Sequence, residues 1–156
     1  MKNYEENLLM YIKENKIKAE QIFFDEDVKT SKQALINTNS SYVIKTIVFV
    51  DLDKEVKEGN GIIAIIPAKE RVSKEKLKTI TKSRVKIASP DQVLKLTNYP
   101  AGGVPPFGFK ARFYLDKSLK NKNIVYAGGG SLKTLIKITI KEILKTNKTE
   151  FVNLIE

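Results

Sequence analysis

The sequence predicts an α+β or mixed α/β fold built on a largely antiparallel sheet. Three observations carry that expectation. Stretches with strand chemistry and stretches with helical spacing follow one another irregularly, without a strict βαβ alternation. The run Gly61–Ile66 is apolar almost throughout, as in a central strand buried on both faces. The late connections, such as the one at Gly128–Ser131, have hairpin length.

The elements follow in order. Asn3 to Asn15 reads as an amphipathic helix, with Leu8, Leu9 and Ile12 on one stripe. Gln21–Phe24 reads as a short strand. Ser31 is placed to cap a short helix over Lys32–Ile36, and Asn37–Ser41 is a polar turn. Tyr42–Val50 is rich in β-branched and aromatic residues and predicts a strand. Asp51–Asn60 is a charged turn region; Gly61–Ile66 is the central strand, which Pro67 ends. Ser73 caps a helix to Ile80, and Arg84–Ala88 is a short strand.

Ser89-Pro90-Asp91 supplies a cap, a proline in the first turn and an acid at the positive helix end. The helix it opens stops before Pro100. Arg112–Leu115 and Asn123–Ala127 are extended. Leu132–Ile138 alternates Lys133, Leu135 and Lys137 against Leu132, Thr134, Ile136 and Ile138. Thr139-Ile140-Lys141-Glu142 fits a capping box opening a final helix. No repeat or linker divides the chain, so residues 1–156 are expected to form one domain.

Composition narrows the chemistry. There is no cysteine and no histidine. That excludes disulfides, thiolate metal sites, Ser-His-Asp and Cys-His catalysis and most zinc hydrolases. An enzyme of this composition works with lysine, hydroxyls, carboxylates, backbone amides or groups of its substrate. The net charge is +10, which suits an anionic partner, nucleic acid above all. Lysine excess from genome bias or a hot habitat is the other source of such a charge. The amino-terminal residues lack a cleavable signal pattern, and no apolar run approaches the roughly 20 residues that span a bilayer. A cytoplasmic protein without membrane contact is expected.

Two features carry chemistry. Pro100–Gly108 holds three glycines and three prolines in nine residues. Proline stiffens such a loop and glycine lets another molecule approach its backbone, so its free amides could face a guest. A rigid turn between a helix and a strand is the plainer alternative. The second feature is Lys45, which interrupts the apolar strand Val43-Ile44-Lys45-Thr46-Ile47-Val48. Alternation puts Val43, Lys45 and Ile47 on one face. A lysine there must reach an anion, a cavity or water; simple snorkelling to solvent is equally open.

The string Gly102-Gly103-Val104-Pro105-Pro106-Phe107-Gly108 resembles the signature loop of the YbaK/ProX family. These are free-standing relatives of the editing insertion of prolyl-tRNA synthetase that hydrolyse amino acids wrongly attached to tRNA. The resemblance extends over roughly Ser31–Ile143 and implies a mixed, largely antiparallel, barrel-like sheet with surrounding helices. It implies that Lys45, at the place of the family's essential lysine, lies in the pocket and holds the 3′-terminal nucleotide. Gly102 and Pro106 match the family's Gly-x-x-x-Pro pattern. Gly102 then joins Lys45 as a catalytic position, its loop amides cradling the ester as an oxyanion hole would. Gly103, Val104, Pro105, Pro106, Phe107 and Gly108 become substrate-binding residues, with Val104 and Phe107 as pocket walls.

Val125-Tyr126-Ala127-Gly128-Gly129-Gly130-Ser131 resembles the family's glycine-rich border of the pocket. Taken alone, Gly128, Gly129 and Gly130 could admit a phosphate or form a flexible link, and they lack the spacing of a P-loop. Some members carry a serine or histidine near Gly128; this chain departs from them, which leaves the choice of amino acid open, with Ser131 as a substitute. Asp116-Lys117-Ser118-Leu119 matches a family segment. Asp116 could act in catalysis, orient Lys45 or end a strand, as Asp does at turns.

Asp25, Glu26, Asp27, Asp51 and Asp53 read as acidic turns, and neither a metal nor a cofactor is expected. Lys69, Arg71, Lys74, Lys76, Lys78, Lys82, Arg84 and Lys86 could track a tRNA acceptor stem through its phosphates or form an ordinary solvated face. The resulting expectation is a trans-editing deacylase acting on the acceptor end of mischarged tRNA. Its substrate is Ala, Cys or a similar small amino acid on a non-cognate tRNA such as tRNA-Pro. The rival is a non-catalytic tRNA- or nucleotide-binding module, acting with an aminoacyl-tRNA synthetase.

Overall fold

The computed structural model describes residues 3–24 and 42–156. The helix behind Ser31, the turn Asn37–Ser41 and the acidic group Asp25–Asp27 lie outside the described residues. The chain runs α1 (Tyr4–Glu14), β1 (Ala19–Phe23), β2 (Ile44–Asp51), β3 (Gly61–Pro67), α2 (Lys74–Thr81), β4 (Val85–Ile87) and α3 (Pro90–Thr97). After a loop come β5 (Arg112–Asp116), a 3-10 turn (Lys117–Asn121), β6 (Ile124–Gly128), β7 (Thr134–Thr139), α4 (Ile140–Asn147) and β8 (Phe151–Val152).

Side-chain caps start the helices where the sequence placed them. The Asn3, Ser73, Ser89 and Thr139 side chains accept the N–H of Glu6, Lys76, Gln92 and Glu142. The reciprocal box closes at Ser89, whose N–H donates to Gln92 Oε1 at 2.9 Å, and not at Thr139, where only the Glu142 N–H bond to the threonine hydroxyl forms. β8 was not anticipated. Two residues carry no periodic signal, and only pairing with β5 makes them a strand.

Two sheets form, in the orders β1-β7-β6 and β4-β2-β3-β5-β8. β1–β7, β6–β7, β2–β3 and β2–β4 are antiparallel; β3–β5 and β5–β8 are parallel. A parallel bridge between Val43 and Tyr126 joins the sheets. The sheets curve around a shared core, as the barrel-like expectation has it, without closing among the described residues.

β3 is the buried centre. Ile63 and Ile65 enter the larger apolar cluster, with Leu8 and Ile12 of α1, Val93 and Leu96 of α3, and Ile140 and Ile143 of α4. Ile62, Ala64 and Ile66 enter a second cluster with Phe49, Leu77 of α2 and Leu154. Both faces therefore reject polar side chains, which explains the unbroken apolar run. No helix of the described residues is long and apolar enough to cross a membrane.

Asp116 closes the last strand junction. Fully buried, its carboxylate accepts the Leu154 N–H at 2.8 Å, the Ser118 N–H at 2.9 Å and the Ser118 hydroxyl. It ties the end of β5 to the chain segment after β8. Replacing it with Ala leaves buried donors unpaired, so Asp116→Ala should lower stability by about 3 kcal/mol. Urea denaturation checks this; an unchanged midpoint refutes it.

Candidate active site

The site begins with a strand left half unpaired. β4 is short and pairs with β2 only from Phe49 to Asp51, after an Ala88 N–H to Val48 carbonyl bond of 2.9 Å. β6 lies beside β2, but the two form no ladder among the described residues; their one bridge is at Val43, just before β2. Over residues 45–47, β2 is therefore paired with β3 on one side and with no strand on the other among the described residues. Gly102 and Val104 of the loop after α3, and Gly128 at the end of β6, enter that gap. With Lys45, Thr46 and Ile47 they enclose a cavity of about 180 Å³.

The glycines make this closeness possible. A Cβ on Gly128 would stand 2.1 Å from the Val104 carbonyl oxygen, and one on Gly103 would stand 2.7 Å from the Ser131 nitrogen. The two glycine-rich segments thus meet backbone to backbone, and the Gly130 N–H donates to the Gly103 carbonyl at 2.8 Å. Gly102 adopts φ +88°, a shape that side chains disfavour.

The residues around the cavity bring several donors. Lys45 is half-buried. Burial holds its ammonium below the usual lysine pKa, and the nearby Arg71 guanidinium pushes the same way, partly offset by Glu70. The Thr46 hydroxyl is buried without a hydrogen-bond partner. The N–H groups of Gly102 and Val104 find no partner among the described residues. The wall carries no carboxylate. Such a lining suits an acceptor-rich guest, and its dipoles could polarise a carbonyl and stabilise an oxyanion.

Other expected site residues lie apart from this cavity. Phe107 is fully buried in the larger core, its ring centroid 6.1 Å from that of Tyr11. The Pro106 carbonyl accepts the Asn147 amide at 2.6 Å, and Gly108 sits beside Tyr99 and Leu8. With Pro105, which is also buried, these residues anchor the loop from behind. Gly129 lies on the backbone of Leu135, and Gly130 on that of Tyr4. The Ser131 hydroxyl donates to Glu5 Oε1 at 2.5 Å and lies 3.1 Å from the Thr134 hydroxyl. Asp116 is engaged at the β5–β8 junction.

Asp51 and Asp53 each pair with an arginine, at 3.1 Å to Arg112 and 2.6 Å to Arg84. Thr46 and Ile47 are the lining residues that sequence reasoning did not single out. In an apolar strand a threonine passes as one more β-branched residue.

A roomier hollow of about 450 Å³ lies between α2 and β8, over Ile80 and Val152. Of the residues named from the sequence it gathers only Lys76, from the basic group that could track an acceptor stem.

The family description "aminoacyl-tRNA editing domain" matches residues 19–146. The uncharacterized protein YwhH of Bacillus subtilis is 34% identical over 89 residues, 55% of this chain and 57% of that protein. The chain thus spans little more than half the length of that relative. Among solved structures, a candidate trans-editing enzyme for prolyl-tRNA synthetase superposes with a TM-score of 0.83 at 23% identity, over 100% of this chain and 99% of that one. The hypothetical protein APE2540 gives 0.83 at 22% identity, over 96% and 99%. At such identities the likeness is one of fold.

Two outcomes follow from the geometry. Gly128→Ala should cost roughly 3 kcal/mol, because a methyl group must displace the Val104 carbonyl; thermal or urea unfolding measures it. In a lysine titration followed by NMR, the Lys45 amine should lose its proton below the ordinary value of 10.5. Arg71→Gln should move the midpoint up and Glu70→Gln should move it down. A Lys45 midpoint at or above 10.5 contradicts this electrostatic picture.

Proposed function

Because the chain belongs to the aminoacyl-tRNA editing domain family, we propose that it is a trans-editing deacylase. It hydrolyses the ester that joins a small amino acid, such as Ala or Cys, to the terminal ribose of a non-cognate tRNA such as tRNA-Pro. Residues 1–156 are read as one editing domain. The observation that carries this reading is the small cavity that Lys45 shares with Gly102, Val104 and Gly128, without a carboxylate in its wall. Its volume of about 180 Å³ lies below the range of about 300–1,000 Å³ usual for whole small-molecule ligands. It suits a small aminoacyl group, with ribose and base outside.

In this reading the aminoacyl carbonyl points at the amides of Gly102 and Val104. The charge that develops on its oxygen in the tetrahedral intermediate is met by dipoles already in place. The Lys45 ammonium holds the ribose or its phosphate at the mouth. Water attacks the carbonyl carbon, the ester C–O bond breaks and the terminal hydroxyl of the tRNA leaves with a proton. No nucleophilic side chain needs to form a covalent intermediate, in keeping with a chain that has neither cysteine nor histidine. Val104 and the missing side chain of Gly128 set the size of the accepted residue.

The absence of a carboxylate from the lining also favours a second reading, a module that binds the acceptor end without turnover, alone or beside a synthetase. One assay separates the two. The protein is incubated with tRNAs mischarged with Ala, Cys or Ser, and free amino acid is measured. Turnover in the wild type, reduced at least about 100-fold in Lys45→Ala, supports the deacylase. Binding without release at any amino acid favours the module.

A further inference from the structure

The Lys45 side of β2 opens on a second hollow, and the two share Lys45 and Ile47 as a common wall. The second is a cleft of about 290 Å³ whose lining includes Phe49, Arg71, Lys74 and Ile87. Its floor is apolar. Phe49 and Ile87 are cross-strand partners of β2 and β4, and Ile87 is 60% exposed, an unusual place for so large an apolar side chain. Its rim is cationic. Lys45, Arg71 and Lys74 form no ion pair with a carboxylate of the described residues, whereas Lys57, Lys78, Arg84 and Arg112 do.

The rim is also held in place. Val72 bridges to Ile155, the Ser73 N–H donates to the Leu154 carbonyl at 2.6 Å, and the Glu156 N–H donates to the Arg71 carbonyl at 3.1 Å. The C-terminal residues thus clamp the backbone that carries Arg71 against the sheet. Gathering like charges over an apolar floor is unfavourable in the free protein; Glu70 offsets this in part at Lys45, and a bound anion relieves it further. Arg71 lies near enough to Lys45 to disfavour its charged form.

We propose that this cleft binds the unpaired 3′ strand of the tRNA next to the aminoacylated end. Arg71 and Lys74 hold a backbone phosphate, and a base lies on Ile47 and Ile87, over the largely buried Phe49. The assignment rests on the deacylase reading, since the aminoacyl group fills the smaller cavity and leaves its nucleotide outside. The shared Lys45–Ile47 wall is where the strand passes from one hollow to the other. Cations over an apolar or aromatic platform are the usual means of holding single strands without reading their sequence. The cleft therefore contributes affinity and direction, and leaves the choice of amino acid to the cavity.

The test compares two substrates of one amino acid, aminoacyl-tRNA and aminoacyl-adenosine, which has no phosphate. The variants are Arg71→Gln, Lys74→Gln and Arg71→Lys, each checked for an unchanged unfolding midpoint. In the wild type kcat/KM is higher for the tRNA. Arg71→Gln and Lys74→Gln should each reduce that advantage roughly tenfold, mainly through KM. Each should also lower the slope of log kcat/KM against log salt by about 0.7. Arg71→Lys, which keeps the charge, should restore part of the loss.

An unchanged advantage and an unchanged salt slope overturn the proposal. So does a loss of equal size on aminoacyl-adenosine, which would place these residues in the chemistry. If the wild type releases amino acid from neither substrate, the deacylase reading falls by itself. The cleft is then judged by the affinity for a short RNA ending in CCA. Roughly tenfold weaker binding by Arg71→Gln upholds it, and equal binding overturns it.

Discussion

The site depends on one contact, the meeting of two backbones at Gly128 and Val104. Nothing larger than hydrogen fits between them, since a Cβ on Gly128 would approach the Val104 carbonyl to 2.1 Å. That contact sets how closely the loop after α3 lies against β6, and so places the wall of the cavity. Gly103 repeats the arrangement against Ser131. From behind, Phe107 in the core and Asn147 on the Pro106 carbonyl hold the same loop. Oriented dipoles stabilise a transition state only when they need not reorganise, and a loop clamped on both sides meets that condition.

The second constraint is a shortage of pairing. A longer β4 would cover the edge of β2 at residues 45–47 and leave no room for a guest. The sheet instead ends its coverage at Val48, and groups that a stable core would avoid stand beside the vacancy. A buried hydroxyl without a partner and a lysine set against an arginine both cost stability. Such costs collect where a ligand supplies the missing partners. The cavity and the cationic cleft therefore read as two parts of one surface, divided by Lys45 and Ile47.

Much of this was legible along the chain, and the legible parts share a cause. Helix caps at Ser73, Ser89 and Thr139 and the continuous apolar run of β3 are local signals, fixed within a few residues. β8 escaped because a strand of two residues exists only through its partner. Ser131 and Asp116 carry side chains fit for catalysis, but chemical type says nothing about direction. One hydroxyl turns to Glu5 of α1, and the carboxylate turns to Leu154 and Ser118. Thr46 escaped for the opposite reason, since its side chain resembles valine in shape and only its place in the gap leaves its hydroxyl alone.

By itself the sequence determined the fold class, the chemistry open to a chain without cysteine or histidine, and the family that its glycine–proline loop belongs to. These follow from composition, periodicity and short motifs, which act between neighbours in the chain. Only the tertiary structure decided which donors share a cavity with Lys45 and which expected site residues stand behind it as anchors. It alone set Arg71 beside Lys45. Those relations join residues far apart in sequence, and they exist only once strands have found their partners and left one edge open.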